Sequence, residues 1–186
     1  MRQVHHHEII ACQSQNAGVV GDVFQRLHPS LLSLSYRYLG NTDDAQDVVM
    51  VTWMKVLERL SQFQYQHPLS FYSWMKKICV NECLGILRAR NNFHMQSLQD
   101  LPEDEEPITE DFSNIDASIL LRWVADLPEG YRTVFNLFAV EGFSHAEIAQ
   151  MLEITESTSK SQYRKARMSL VKTLQLQLDI SKSHEK

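Results

Sequence analysis

The sequence is poor in the residues that interrupt helices, with six Gly and five Pro among its 186 residues. A turn-rich β-sandwich or barrel would need more of both, so such a fold is disfavoured. The three cysteines, an odd number, fit a reducing compartment better than a disulfide framework. No apolar run approaches the roughly 20 residues of a membrane span, and the first residues lack the apolar core of a signal peptide. We therefore expect a cytoplasmic protein with no stable membrane association of its own.

Charge is distributed unevenly along the chain, although the net charge is only −5. Residues 1–92 carry nine Lys and Arg against seven Asp and Glu, and residues 117–186 carry nine against eight. Residues 93–116, between them, carry eight acids and no Lys or Arg. Because local charge sets the field that a polyanion meets, the acidic total does not exclude nucleic acid as a partner.

Apolar residues recur at helical spacing through the first half of the chain. One stripe lies within residues 31–39, a second within residues 48–60, and a third helix is expected over residues 70–90. Asn41 followed by Asp43 and Asp44 is typical of a helix start, with acids in the first turn. Pro29 and Pro68 are expected at or near helix starts, where proline is tolerated.

The helical periodicity stops between residues 91 and 116 and then resumes. Four further helices are expected over residues 117–126, 129–141, 145–152 and 156–175, and Ser144 with Glu147 predicts a capping box for the third of them. The sequence therefore predicts an all-α protein of two small helical domains, residues 8–92 and 117–176. We interpret residues 93–116 as an acidic linker, either a plain spacer or a polyanion that imitates a nucleic acid.

Residues 144–167 have the spacing of a helix-turn-helix. The second helix has no acid between Ser157 and Leu178 but carries five cations, Lys160, Arg164, Lys165, Arg167 and Lys172. Its first half offers short polar groups suited to phosphates and base edges, Ser157, Thr158, Ser159, Ser161 and Gln162. Such a helix is typical of DNA binding in the major groove. The alternative is a solvated basic face on an ordinary helical hairpin.

The second half of the chain contains LPEGYR at 127–132, EGFSHAEIA at 141–149 and KSQYRKAR at 160–167. Together these segments resemble region 4 of bacterial extracytoplasmic-function (ECF) sigma factors. The first half contains DAQDVV at 44–49, TWMK at 52–55 and FYSWM at 71–75. These resemble region 2 of the same family, and the two blocks follow in the family's order and spacing.

The resemblance implies an alternative sigma factor, which is not an enzyme and needs no cofactor or metal. Its partners would be core RNA polymerase and promoter DNA, and the family also allows an anti-sigma protein. The residues that the resemblance assigns to polymerase binding are Asp44, Asp47, Val48, Met50, Val51 and Met54. Those assigned to the −10 element are Lys76, Lys77, Asn81, Arg88 and Arg90. Those assigned to the −35 element are Ser157, Thr158, Lys160, Ser161, Gln162, Arg164, Lys165 and Arg167.

The sequence departs from the family pattern at several positions. Met50 and Val51 stand where a polar pair is usual, so apolar contacts to polymerase would replace charge-assisted ones. Glu153 stands where Gly is usual in the helix-turn-helix, and a left-handed backbone there would cost about 1 kcal/mol. Ser159 replaces an apolar residue and Val80 a basic one.

Other interpretations of the same residues remain open at this point. Two rival functions are a stand-alone helix-turn-helix regulator that binds operators as a dimer and a helical adaptor that binds only protein. Cys79 and Cys83, one helical turn apart, could be small buried residues or a pair that senses oxidants. The aromatic residues Phe71 and Trp74 could stack on unpaired bases or belong to the core. His5 to His7 with Cys12 are a weak candidate for metal ligands.

Overall fold

The computed structural model describes residues 2–90 and 115–184, and this part of the chain contains helices and no strand. The predicted linker therefore lies outside the described residues, except for Ile115 and Asp116. The chain divides into two compact units, residues 1–86 and 87–186. No described helix is both long enough and apolar enough to cross a membrane.

The first unit contains α1 (His6–Gln13), α2 (Ala17–Leu39), α3 (Thr42–Arg59), a short 3₁₀ turn (Leu60–Gln62) and most of α4 (Ser70–Ala89), whose last three residues fall in the second unit. The helix that the sequence did not predict is α1, which buries Ile9 and Cys12. It is tied to α2 by an ion pair of 2.7 Å between Glu8 and Arg26. The start of α3 was predicted correctly, since the Asn41 side chain accepts hydrogen bonds from the backbone N–H groups of Asp43 and Asp44.

Proline 29 lies inside α2, so the prediction that it marks a helix start is wrong. A proline within a helix donates no backbone hydrogen bond to the carbonyl four residues earlier, which here is that of Gln25. The helix persists because it buries a long apolar face, with Val23, Leu27 and Leu31 each at most 1% exposed. Burial of that face outweighs the local preference of the proline.

The second unit contains α5 (Ala117–Ala125), α6 (Glu129–Phe135), a π-helical turn (Asn136–Val140), α7 (His145–Leu152) and α8 (Glu156–His184). The predicted helix over 129–141 is thus an α-helix followed by a π turn, and the last helix continues beyond the predicted end at 175. The core is formed by Val124, Leu127, Phe135, Ala166 and Leu170, which come from α5, α6, α8 and the segment between α5 and α6.

The LPEGYR segment joins α5 to α6, and one of its residues, Arg132, fixes that junction. Arg132 is 7% exposed, and its Nη1 donates to the carbonyl oxygens of Ala125 and Leu127, at 2.9 and 3.1 Å. The Ala125 carbonyl is at the end of α5 and the Leu127 carbonyl lies in the segment after it, and a cation at a helix C-terminus also suits the helix dipole. Arg132 therefore holds the end of α5 against α6.

Candidate nucleic-acid interface

The helix-turn-helix is built from α7, a turn and α8. Ser144 and Glu147 form the predicted capping box at the start of α7. Glu153 ends α7 with φ 58° and ψ 42°, so the left-handed backbone expected at this position is confirmed. The carbonyl of Ala149 accepts from Ile154 N–H at 3.0 Å and from Glu153 N–H, which closes the turn before α8 begins.

One face of α8 is buried in the second unit. Its members are spaced three and four residues apart and are each at most 2% exposed: Ser159, Gln162, Ala166 and Leu170. A Cβ placed on Gly130 would lie 2.7 Å from the Gln162 Oε1, so the amide packs directly against α6. The prediction that Gln162 faces DNA is therefore wrong, because helical periodicity places it on the face of Ala166.

The opposite face of α8 carries the remaining side chains that were predicted to contact the −35 element. Ser157, Lys160 and Ser161 are exposed, and Thr158, Arg164, Lys165 and Arg167 are half-buried. The hydroxyls of Ser157 and Thr158 lie 2.9 and 2.8 Å from Thr155 Oγ1, which also caps the Thr158 N–H. Both hydroxyls thus take part in the local turn at the start of α8.

A histidine that the sequence did not single out connects α7 to α8. His145 Nδ1 lies 2.9 Å from Ser159 Oγ, and its ring stacks on Phe138 with centroids 4.3 Å apart. Burial, and then the charge of Lys160, lower the pKa of His145, so its neutral form is favoured in the folded protein. The signal in the sequence was Ser159 itself, because a polar residue on the inner face of a helix needs a hydrogen-bond partner.

An ion pair marks the first turn of α8. Lys160 Nζ lies 2.7 Å from Glu156 Oε1, and both side chains are at least half exposed. A hydrogen bond from Lys160 and its positive charge lower the pKa of Glu156. The Glu156 carboxylate is therefore ionised at neutral pH, and it lies at the N-terminal end of α8.

On α4, Lys77, Asn81 and Arg88 are exposed and lie four and seven residues apart, which places them along one side of the helix. Lys76 is half-buried, and Arg90 is exposed just after the helix ends. These five residues carry the predicted contacts to the −10 element. Their spacing gives α4 a polar, mainly cationic side opposite its core face.

The aromatic residues at the start of α4 belong mainly to the packing of the first unit. Phe71 and Tyr72 are 1% and 8% exposed, so they present no open face to an unstacked base. Trp74 is half-buried, and its ring centroid lies 5.1 Å from that of Phe63 and 5.8 Å from that of Phe71. The geometry favours the core interpretation of Phe71 and Trp74.

An apolar stripe lies on the outer side of α3. Met50, Val51 and Met54 are 51%, 38% and 60% exposed, Asp47 is exposed beside them, and Asp44 is half-buried one turn earlier. Large apolar side chains that are exposed to solvent at helical spacing are typical of a surface that binds a partner.

The exposed residues of α3 differ from the predicted polymerase-binding set at two positions. Val48 is 2% exposed and faces the core of the first unit, so its assignment to polymerase binding is wrong. Leu57 is 47% exposed, although it was not among the residues predicted to bind polymerase. The signal available in the sequence was its position three residues after Met54, which places both on the same side of the helix. We use "α3 surface" for the set Asp47, Met50, Val51, Met54 and Leu57.

The two cysteines of α4 are both fully buried, which favours their interpretation as core residues. Their surroundings are polar as well as apolar, since Ser35 Oγ lies 3.1 Å from Cys79 Sγ. A hydrogen bond from Cys83, with further ones from Ser35 and Thr52, lowers the pKa of Cys79 to about 7. The same hydrogen bond and burial raise the pKa of Cys83, which is the donor of the pair.

The histidines near the start of the chain are exposed. Within residues 2–90 and 115–184 there is no group of three or more His, Cys, Asp or Glu side chains arranged to hold a metal ion. His6 instead packs on Tyr65, with ring centroids 4.9 Å apart.

Comparison with known proteins extends these observations. The family model for Sigma-70 region 2 matches residues 23–93, and that for Sigma-70, region 4 matches residues 118–170. The chain is 30% identical over 146 residues to ECF RNA polymerase sigma factor SigE of Mycolicibacterium smegmatis, covering 74% of this chain and 54% of that protein. It is 28% identical over 175 residues to ECF RNA polymerase sigma factor SigM of Mycobacterium tuberculosis, covering 90% and 86%.

Among solved structures, the sigma factor RpoE in complex with the anti-sigma factor NepR from Bartonella quintana aligns with a TM-score of 0.47 and 24% identity, over 83% of this chain and 97% of that one. The chain thus spans about half the length of SigE and most of the length of SigM and RpoE.

Two helical units, one of them a helix-turn-helix with a cationic outer face, define a DNA-binding protein. The family matches cover both units in order. The chain belongs to the ECF RNA polymerase sigma factors of the sigma-70 family, alternative sigma factors that direct promoter-specific transcription initiation. This confirms the family and the all-α fold that the sequence indicated.

Proposed function

We propose that this sigma factor divides promoter recognition and polymerase binding among three helices. In this proposal α8 contacts the −35 element, α4 contacts the −10 element, and α3 binds core RNA polymerase. The observation that carries the proposal is the division of α8 into a buried inner face and a polar outer face with Lys160, Arg164 and Lys165. Since the inner face is fixed by packing, only the outer face is open to DNA.

The contacts of α8 fall into two groups. Lys160, Ser161, Arg164 and Lys165 lie on the outer face of the first three turns, where a recognition helix meets base edges. Arg167 is proposed to contact phosphates, which give affinity without sequence preference. Gln162 is removed from the proposed set because it is buried.

The cationic side of α4 is proposed to hold the −10 region of the promoter. Lys77, Asn81 and Arg88 supply two cations and an amide along one side of a single helix, and Lys76 and Arg90 flank them. A strand that has left the duplex is held by such a surface through its phosphates and base edges. Phe71 and Tyr72 are left out because they are buried.

The α3 surface is proposed to bind core RNA polymerase, mainly through apolar contacts. Met50 and Val51 stand where polar residues are usual in the family, so burial of their side chains and of the Met54 side chain would supply most of the affinity. Asp47 lies beside them on the same exposed side of the helix and would add a charge-assisted contact. Asp44, one turn earlier and half-buried, stays in the proposed set.

We also propose that the protein has no catalytic activity, needs no cofactor, and acts in the cytoplasm, where core polymerase and the chromosome are found. The sigma factor RpoE has been solved with an anti-sigma factor, and an anti-sigma protein remains a predicted partner of this chain.

Run-off transcription with core RNA polymerase tests the proposed function. Genomic fragments should yield specific transcripts with the protein and core enzyme together, and none with either alone. If core enzyme binds the protein but no fragment gives a specific transcript, the proposed function is contradicted.

A matched pair of variants tests the α3 surface within the same assay. Met54→Asp places a charge in an apolar contact and should weaken core binding by at least tenfold. Ile10→Asp is the control, because Ile10 is also an exposed apolar residue, at 51%, but lies on α1. An equal loss for the two variants would remove α3 from the proposed interface.

A further inference from the structure

The first turn of α8 carries an acid, Glu156, which suits the start of a helix but is opposite in charge to the other ionisable groups on the outer face. Glu156 is the first residue of the helix, and its carboxylate is half exposed and bound to Lys160 at 2.7 Å. The next acid along the chain is Asp179, so the DNA-facing part of α8 otherwise carries only cations. An ionised carboxylate at this end would be repelled by the phosphates that the cations attract.

A carboxylate in the major groove is tolerated where it accepts a hydrogen bond from a base. Cytosine presents its 4-amino group there as a donor, and the paired guanine presents O6 and N7 as acceptors. A carboxylate with an ammonium group beside it matches that pattern, since the carboxylate accepts from cytosine and the ammonium donates to guanine. Glu156 and Lys160 are held in this arrangement by their own ion pair.

Glu156 and Lys160 are the charged residues of the first turn of α8, because the side chains between them are uncharged. The hydroxyls of Ser157 and Thr158 lie within hydrogen-bond distance of Thr155 Oγ1, and Ser159 is buried against His145. Glu156 and Lys160 are one helical turn apart on the exposed side, with side chains 50% and 62% exposed. They can therefore approach one base pair together.

We infer that Glu156 and Lys160 act as a unit that recognises one C·G base pair of the −35 element. Glu156 accepts a hydrogen bond from the cytosine 4-amino group, and Lys160 donates to O6 or N7 of the guanine. This inference rests on the proposed function of α8 as the −35 recognition helix. It adds Glu156 to the residues that contact DNA. Glu156 would determine which base pair is preferred at one −35 position and would add little to the overall affinity.

The test measures base preference position by position with the full-length protein and core polymerase. Run-off transcription is measured on a promoter in which each −35 base pair is varied in turn. The wild type should prefer C·G over T·A by about tenfold at one position or more. Glu156→Gln should reduce that preference to about threefold or less at a single position and leave the other positions unchanged.

Glu153→Gln is the matched control, because it removes one exposed negative charge from the turn three residues earlier. It should change initiation on all promoter variants by a similar factor. A promoter with pyrimidin-2-one in place of the critical cytosine lacks the 4-amino group. This promoter should reduce initiation by the wild type and have little further effect on initiation by Glu156→Gln. Thermal unfolding of Glu156→Gln checks that the variant is folded.

The outcomes separate the inference from the proposed function. If the wild type depends on several −35 base pairs but Glu156→Gln behaves like Glu153→Gln, the inference is overturned and the function of α8 stands. If initiation by the wild type depends on no −35 base pair, both are overturned. A loss of preference for A·T instead of C·G in Glu156→Gln would also overturn the assignment to cytosine.

Discussion

The amide of Gln162 on α8 occupies the space beside Gly130 on α6, where a Cβ would lie 2.7 Å from the amide oxygen. The glycine of the LPEGYR segment is thus explained by close packing, and the backbone at this position has no left-handed conformation. Gln162 is 2% exposed, so its amide has little room to move aside. The contact sets the distance between α6 and the recognition helix.

Gly130→Ala should therefore destabilise the protein by about 1 kcal/mol or more, because the added methyl overpacks a buried contact. Gly85→Ala is the control, since nothing lies within 4 Å of a Cβ at that position of α4. It should be neutral or stabilise the helix by about 0.5–1 kcal/mol. Chemical denaturation of the full chain measures both, and a Gly130→Ala variant as stable as Gly85→Ala would contradict the packing argument.

The left-handed conformation of Glu153 gives a second prediction. Glu153→Gly should stabilise the protein by up to about 1 kcal/mol, because glycine adopts φ 58° without a Cβ clash. Gln150→Gly, at an exposed position inside α7, should instead cost about 1 kcal/mol. Denaturation midpoints of the two variants should move in opposite directions, and a destabilised Glu153→Gly would show that its side chain contributes more than its backbone costs.

The parts of the fold that follow from short sequence signals could be predicted. Asn41 with the acids after it, and Ser144 with Glu147, are start signals that act through backbone N–H groups a few residues away. Both helix starts agree with the structure. Glu153 was predictable for the same reason, since the turn of a helix-turn-helix is a local conformation.

The parts that depend on which face of a helix is buried were predicted less well. Val48 and Gln162 were assigned to surfaces because they lie within segments that resemble functional regions, yet each faces a core. Pro29 was placed by local preference, which burial of the α2 face overrides. Ser159 indicates that a buried hydrogen-bond partner is needed, but the identity of that partner, His145, depends on how α7 and α8 pack.

The pKa of His145 predicts a pH dependence of stability. Burial, and then Lys160, lower this pKa in the folded protein, whereas Glu156 acts in the opposite direction. The unfolded chain has the ordinary value of about 6.5, so it binds the proton more readily than the folded chain does. The stabilising contribution is therefore complete above about pH 6.5 and is lost as the pH falls through the lower folded value.

His145→Gln removes the titrating group and keeps a polar side chain beside Ser159. Its melting temperature should fall less between pH 7 and pH 5 than that of the wild type. The two proteins share every other ionisable group, so the contributions of those groups cancel in the difference. Parallel curves for the two proteins over this range would show that His145 contributes nothing to the pH dependence.

The two groups of proposed contacts on α8 should respond differently to substitution. Arg164→Ala, at a position proposed to meet base edges, should cost about 1–3 kcal/mol on the matching promoter and relax the preference at one −35 position. Arg167→Ala should weaken binding to all sequences by a similar factor and flatten the dependence of affinity on salt, because it removes a phosphate contact. Binding of the holoenzyme to promoter and random DNA, measured over a range of salt concentrations, distinguishes the two effects. If both variants lose the same factor on both kinds of DNA, the outer face of α8 gives affinity alone, and sequence must be recognised elsewhere.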